Sequence, residues 1–521
     1  MNQIIDRPSQ YGILVIDYGS QYTLLIARRL RELGIYAEVI GSSKKLPPDG
    51  LDFMGIILSG GPDSVMEKNS RSIPDWVLAS KKPILGICYG MQLLVESLGG
   101  GVRSGKSREY GRSTLNLTEN SEEWLQGLKR EQVVWMSHGD DVHDIENDWN
   151  VVGKTDDNVI ALINHKTKPI TGCQFHPEVQ HSEEGKEFFH QWVTKACKAA
   201  QNWQSQDIIE ATKAYIKSTV GNGKVLMAVS GGVDSTVAAS LAVQTLGPKN
   251  VTAVFVDNGL LRKNEVQEVK ELFRAIGIED LHVLDREQLF LEKLKDVSDP
   301  ESKRKIIGLT FIEEFETFAN KQGSDFTHLG QGTLYPDVIE SAGDGSGAKV
   351  IKSHHNVGGL PEHLNLRLME PFRFLFKDEV RKLGIDIGVP QSFVGRHPFP
   401  GPGLAVRCLG SITKDKLDII READNIFITS LKNEGFYDKI WQAFVVLLPV
   451  KSVGVMGDNR TYQWTCAIRA VTATDGMTAG VGDLPMPFLV SVSDAIVRKV
   501  NGINRVVYDI TTKPPATIEW E

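Results

Sequence analysis

The sequence predicts an α/β protein: two consecutive doubly wound α/β domains followed by a small α+β domain. Three observations point there. The chain has 521 residues, and at about 100–200 residues per domain that length asks for about three domains. Short apolar runs ending in Gly or Asp alternate with helix-spaced apolar residues twice along the chain, as buried parallel strands and their crossover helices do. The stretch GRHPFPGPGL (395–404), with three prolines and three glycines, can continue neither a helix nor a central strand and closes the second repeat of that pattern.

In the first domain, 10–202, the strands are GILVID (12–17), GIILSG (55–60) and KPILGI (82–87). Leu24, Leu25, Ile26, Ala27 and Leu30 mark a helix within 21–33, and Gly34 stops it. The polar segment CKAAQNWQSQD (197–207) breaks the pattern and sets the first boundary. In the second domain, 203–396, KVLMAVSGG (224–232), a helical stretch over 235–246, VTAVFVDNG (251–259) and LHVLD (281–285) repeat the scheme of a parallel sheet. The third domain, 397–521, mixes strands such as VVLLPVKSVGV with helical segments.

Composition narrows the function. A chain with 41% hydrophobic and 24% charged residues has enough apolar surface to offset chain entropy, which excludes a disordered or fibrous protein. A net charge of −8 argues against coating nucleic acid or anionic membrane, so neither is expected as a partner. Five scattered cysteines without a CxxC pair suggest neither a disulfide framework nor a zinc ribbon. The N-terminal MNQIIDRPSQ has no signal-peptide pattern. Ile440–Val450, the most apolar stretch, is far shorter than the roughly 20 residues that span a bilayer. A cytoplasmic location is expected. Glycine, at 49 residues, is in mild excess over the average of about 7%, and its positions mark where backbone approaches a ligand.

Two stretches carry chemistry. Cys88 in LGICYGMQLL sits between a strand and a helix, with Gly86 and Gly90 two residues to either side. That spacing suits a nucleophile elbow, where glycines relieve clashes in a sharp turn and the following helix N-terminus favours a thiolate. A base is available in TGCQFHPEV (171–179), where a strand is expected to end at His176 and Glu178 shares its face. The turn LSGGPDS (58–64) can aim the N–H of Gly61 at a developing oxyanion, beside the N–H of Tyr89. A lone cysteine reads equally well as a small core residue; the combination outweighs that. His138 in WMSHGD is a competing base, read as loop structure, while Cys173 and His165 read as core or surface residues.

The second stretch is AVSGGVDST (228–236), a strand-to-helix turn whose backbone N–H groups and helix dipole face an anion. Gly231 and Gly232 permit close approach, the hydroxyls of Ser230, Ser235 and Thr236 donate, and Asp234 asks for a divalent cation between itself and phosphate. The absence of GK[ST] excludes a Walker A loop.

GxCxG, HPE and SGGP after three strands resemble the class I glutamine amidotransferases over about residues 12–200. SGGxDS resembles the pyrophosphate loop of the N-type ATP pyrophosphatases, whose fold is adenine nucleotide α-hydrolase-like. In this order, with the third block behind, the chain resembles the glutamine-hydrolysing GMP synthetase family along essentially its whole length. The resemblance implies hydrolysis of glutamine to ammonia by Cys88, His176 and Glu178, with an oxyanion hole at Gly61 and Tyr89. It implies ATP and Mg²⁺ at Ser230, Gly231, Gly232, Val233, Asp234, Ser235 and Thr236, the metal at Asp234, with no organic cofactor. Xanthosine monophosphate (XMP) would meet Arg304, Gln442, Asp458, Lys513 and Glu519. Asp337, Glu340, Lys352, His354 and His355 would belong to a lid over the phosphates, and the third domain would form a homodimer.

Within SKRKIIG (302–308) the bland reading is a solvated basic face ahead of a helix, and TTKPPATIEWE (511–521) would ordinarily be a frayed end. Its prolines and Trp520 argue for a fixed conformation instead. Two other functions share parts of this pattern. A tRNA-thiolating ATP pyrophosphatase shares SGGxDS but lacks a reason for the glutaminase block, and a nucleotide-binding regulator with a decayed amidotransferase would not keep Cys88, His176 and Glu178 together.

Overall fold

The computed structural model describes residues 10–44, 52–67, 70–118, 123–145, 147–201, 203–321, 326–341, 366–456, 459–473, 476 and 478–521. Lys352, His354, His355 and Asp458 lie outside the described residues, as does the side chain of Glu340. The described residues divide into two compact units, one up to Ala211 and one from Thr212 on. The division falls inside the helix Ser205–Val220.

In the first unit the strands are β1 (Gln10–Asp17), β2 (Ala37–Gly41), β3 (Asp52–Leu58), β4 (Ile84–Ile87), β5 (Gly101–Leu117), β6 (Glu131–His143), β7 (Trp149–Thr155), β8 (Ile160–His165) and β9 (Ile170–Cys173). They form one sheet in the order β2-β1-β3-β4-β9-β8-β7-β5-β6. The first five run parallel, and the rest are antiparallel. Ile13, Leu14, Val15 and Ile16 are all fully buried, which requires cover on both faces of β1 and explains its unbroken apolar run. Each such side chain contributes about 1.5–3 kcal/mol. The helix expected over 21–33 spans Thr23–Glu32 and presents Leu25, Ile26, Ala27 and Leu30 to the core.

The second unit holds β10 (Lys224–Val229), β11 (Val251–Asp257), β12 (Leu281–Asp285), β13 (Phe326–Gly330) and β14 (Arg367–Met369). They form an all-parallel sheet in the order β12-β11-β10-β13-β14. The order reverses between β10 and β13, so the loop after β10 opens at the position where doubly wound folds bind ligands. The same unit carries β15 (Gln442–Met456), β16 (Asn459–Thr472), β17 (Gly480–Val481) and β18 (Ile503–Tyr508). β16 pairs antiparallel with β15 and β17 and parallel with β18. Ile420, Phe427, Val492 and Ile496 from the helices Lys414–Asn433 and Met486–Lys499 share one core with Val445, Ile468 and Ile503. That core continues into Leu260, Phe290 and Ile307 of the preceding block. No described helix is long and apolar enough to cross a membrane.

Candidate active site

Cys88 stands between β4 and the helix Tyr89–Ser97 with φ 52° and ψ −109°. That positive φ is strained for a non-glycine residue. Two glycines make the turn possible. A Cβ on Gly90 would lie 2.4 Å from the Leu58 carbonyl oxygen, and one on Gly86 would lie 2.6 Å from the Gly90 backbone. Helix and strand therefore approach more closely here than any side chain allows. The helix begins immediately after Cys88, so the N–H groups of its first turn, Tyr89 included, have no partner within the helix. Gly61 backs against the same tyrosine, since a Cβ there would lie 2.8 Å from the Tyr18 carbonyl and 3.1 Å from the Tyr89 ring.

β9 ends at Cys173, so His176 sits three residues beyond the strand, in a turn rather than at the strand end the sequence suggested. The turn still delivers the pair. His176 Nδ1 lies 2.7 Å from Glu178 Oε1, both side chains are buried, and His176 hydrogen-bonds Cys88. Burial by itself would lower the imidazole pKa, but the Glu178 carboxylate and the hydrogen bond to Cys88 outweigh it and push the pKa up to about 10. The backbone around the pair is fixed from several directions. Ser182 donates to the His176 carbonyl at 2.6 Å, and Arg29 Nε donates to the Glu178 carbonyl at 2.9 Å.

His138 is not in a loop, as the sequence reading had it: it lies on β6, buried, with Nε2 3.4 Å from Glu109 Oε2 and Nδ1 3.6 Å from Asp141 Oδ1. Its neighbour Ser137 offers its carbonyl to Cys88 Sγ at 3.6 Å. The remaining cysteines are core residues, and burial pushes their thiols up, Cys408 to about 11 and Cys466 to about 12.

In the second unit the loop between β10 and the helix Val233–Leu246 folds on itself. Gly231 has φ +75°, Ser235 Oγ donates to the Gly232 carbonyl at 3.2 Å, and the Gly232 N–H donates to Ser230 Oγ at 3.4 Å. Thr236 Oγ1 is buried and makes no hydrogen bond. Asp234, in the first helical turn, has its pKa raised by burial, opposed by Lys377 and Arg381. Lys377 Nζ is 3.6 Å from Asp234 Oδ2, while Oδ1 is buried with no hydrogen-bond partner. Asp337 lies in the helix Tyr335–Ser341, close enough to disfavour the Asp234 charge further, and its Oδ2 accepts the Leu334 N–H at 3.3 Å.

The tail is fixed, as its prolines and Trp520 suggested. Arg469, fully buried, donates to the carbonyls of Ile518, Thr511 and Thr517 at 2.8–3.0 Å and pairs with Asp509. Arg407 and Gln442 bind the Glu519 carboxylate. Lys303, Arg304 and Lys305 do not precede a helix; they lie inside the helix Pro300–Lys321. Lys303 is wholly buried, where it meets the carbonyls of Ala405 and Cys408 and the Glu521 carboxylate. Arg304 donates to the Glu521 main-chain oxygen at 2.6 Å. Lys513 pairs through its backbone with Ala479, and its Nζ donates to the Gly476 carbonyl at 2.8 Å. The structure thus draws Arg304, Gln442 and Glu519 to one docked tail. Arg407 and Lys377 have no local signature in the sequence, because their carboxylate partners, Glu519 and Asp234, lie more than a hundred residues away.

Three sequence families match successive parts of the chain: Glutamine amidotransferase class-I over residues 14–196, NAD synthase over residues 205–302, and GMP synthase C terminal domain over residues 429–520. The GMP synthase [glutamine-hydrolyzing] of Thermotoga maritima is 50% identical over 509 residues, covering 98% of this chain and 100% of the relative. That of Aquifex aeolicus is 51% identical over 516 residues, covering 98% and 99%. That of Cytophaga hutchinsonii is 48% identical over 509 residues, with 98% and 99% covered. With full-length identity of this order laid over a strained cysteine elbow and a phosphate-type loop, the chain belongs to the glutamine-hydrolysing GMP synthase family.

Proposed function

We propose that this chain makes GMP by two half-reactions, each at one of the two loops described above. The observation that carries this is the pairing of Cys88 with His176 and Glu178 on the same chain as the Ser230–Thr236 loop. In the first half-reaction Cys88 Sγ attacks the side-chain amide carbon of glutamine. His176 takes the thiol proton and passes it to the departing ammonia, while Glu178 holds the imidazolium. The N–H groups of Gly61 and Tyr89 stabilise the oxyanion, and water then hydrolyses the thioester. In the second, the C2 oxygen of XMP attacks the α-phosphorus of ATP, pyrophosphate leaves, and ammonia displaces AMP to give GMP.

Ser230, Gly231, Gly232, Val233, Ser235 and Thr236 hold the pyrophosphate through backbone N–H and hydroxyl groups. The unpartnered Asp234 Oδ1 and a carboxylate whose charge burial disfavours fit Mg²⁺, which Asp234 would hold and which would supply charge neutralisation for the phosphates. Arg304, Gln442, Asp458, Lys513 and Glu519 bind XMP, a reading supported for Arg304, Gln442 and Glu519 by their meeting at the docked tail. Asp337, Glu340, Lys352, His354 and His355 close over the phosphates. The working division is a glutaminase at 10–202, an ATP pyrophosphatase at 203–396 and a dimer-forming domain at 397–521, in a cytoplasmic homodimer.

Glu178→Gln tests the glutaminase assignment. The Glu178 carboxylate is the chief group raising the His176 pKa against the lowering effect of burial, so without it the pKa falls. His176 then loses its proton at lower pH. The expected result is a glutaminase rate lower by on the order of 100-fold at neutral pH, with the alkaline limb of the pH–rate profile moved to lower pH. An unchanged rate and profile would remove Glu178 from the triad.

A further inference from the structure

We infer that Arg407 is a positioning residue for the acceptor nucleotide, fixing the Glu519 carboxylate as an anionic hydrogen-bond acceptor with capacity left for the substrate. The inference rests on the reading of Glu519 as an XMP ligand.

Arg407 follows the short turn Gly403–Val406 and is completely buried. Its guanidinium lies 4.2 Å from the centre of the Phe444 ring and 5.0 Å from that of Phe399. A cation in such surroundings must be paired, because an uncompensated buried charge is strongly destabilising. Its close partner is Glu519: Nε to Oε2 at 3.2 Å and Nη2 to Oε1 at 2.9 Å. Asp424 stands farther away, 4.0 Å from Nη1, and Nη1 makes no hydrogen bond. Gln442 Nε2 adds a third bond to Glu519 Oε1, at 2.7 Å, and is itself anchored on the Pro398 carbonyl at 3.2 Å.

An ionised carboxylate offers about four lone-pair sites. Three are used here, two of them on Oε1, which leaves Oε2 with room for one more donor. The Glu519 side chain remains 17% exposed while that of Arg407 is 0% exposed. One end of the pair is therefore locked in the core, and the other presents an oriented acceptor suited to an N–H or O–H of a nucleotide.

Tethering the tail does not explain the pair. Arg469 holds the Ile518, Thr517 and Thr511 carbonyls, and Lys303 holds Glu521. Without Arg407 the tail keeps those anchors, whereas the Glu519 carboxylate loses its bidentate orientation.

The test uses the full-length enzyme with ammonium as nitrogen source and measures KM for XMP and for ATP separately. Arg407→Met should raise KM for XMP about 10–100-fold and leave KM for ATP within about threefold. Glu519→Gln should act in the same direction, and the double variant should be no worse than the more impaired single one, because Arg407 acts through Glu519. A folded Arg407→Met enzyme with unchanged KM for XMP would overturn the inference. So would an equal rise for XMP and ATP, or penalties that multiply in the double variant. Should Arg407→Met lose its thermal transition, Arg407→Lys keeps a buried charge without the bidentate fork, and the same split is expected. If neither folds, Glu519→Gln decides, an unchanged KM for XMP overturning the inference. A wild-type enzyme inactive with XMP would instead sink the underlying reading of the pocket.

Discussion

Cys88→Ala removes glutamine-dependent GMP formation, by on the order of 10⁴-fold or more, while ammonium-dependent formation persists near the wild-type level. The size of the loss follows from the elbow. The strained backbone at Cys88 places one sulfur beside His176 and at the start of the Tyr89–Ser97 helix. With Sγ gone, the base, carboxylate and oxyanion donors proposed above have no nucleophile to serve. Persistence with ammonium follows because the phosphate-type loop lies on a different sheet, after β10. Alanine fits the space of cysteine without adding volume, so the elbow should fold as before. Assays of both nitrogen sources on the purified variant check this, and loss of both activities would contradict the two-site account.

Asp234→Ala has the opposite scope: synthesis from glutamine and from ammonium should fall together, by about 10³-fold or more, as expected when electrostatic stabilisation of a departing group is removed. Its carboxylate sits in the first turn of the helix that follows the loop, with one oxygen buried and unpartnered. Burial disfavours its charge, so the residue holds a negative group where the fold alone would rather have none. Folding stability should not suffer, since removing a disfavoured charge relieves a cost. Pyrophosphate release with ATP and XMP is the readout. Normal release from the variant would refute the role given to Asp234.

Much of this was legible because local chemistry and fold agreed. The glycines around Cys88 encode a close strand-to-helix approach, and the structure shows backbone contacts at Gly86 and Gly90 that no Cβ survives. SGGVDS likewise names its own turn. Other features depend on partners that sequence separation hides. Lys303 looks like part of a solvated basic face, yet it is buried because Glu521, 218 residues on, comes to meet it. Arg407 has no local signature; only the docked tail makes it matter. For His138 the resemblance to the family's SHGD-like loop suggests a loop, whereas its place on β6 is set by twelve paired positions with β5. The polar run 197–207 breaks the apolar periodicity, and the helix Ser205–Val220 begins within it.

The most direct test of the central claim is ATP-dependent pyrophosphate release by the wild-type enzyme, with ammonium present, across a panel of purine and pyrimidine nucleoside monophosphates. XMP alone should drive stoichiometric release of pyrophosphate and AMP together with formation of GMP. Silence with XMP, or equal release with another nucleotide, would contradict the account.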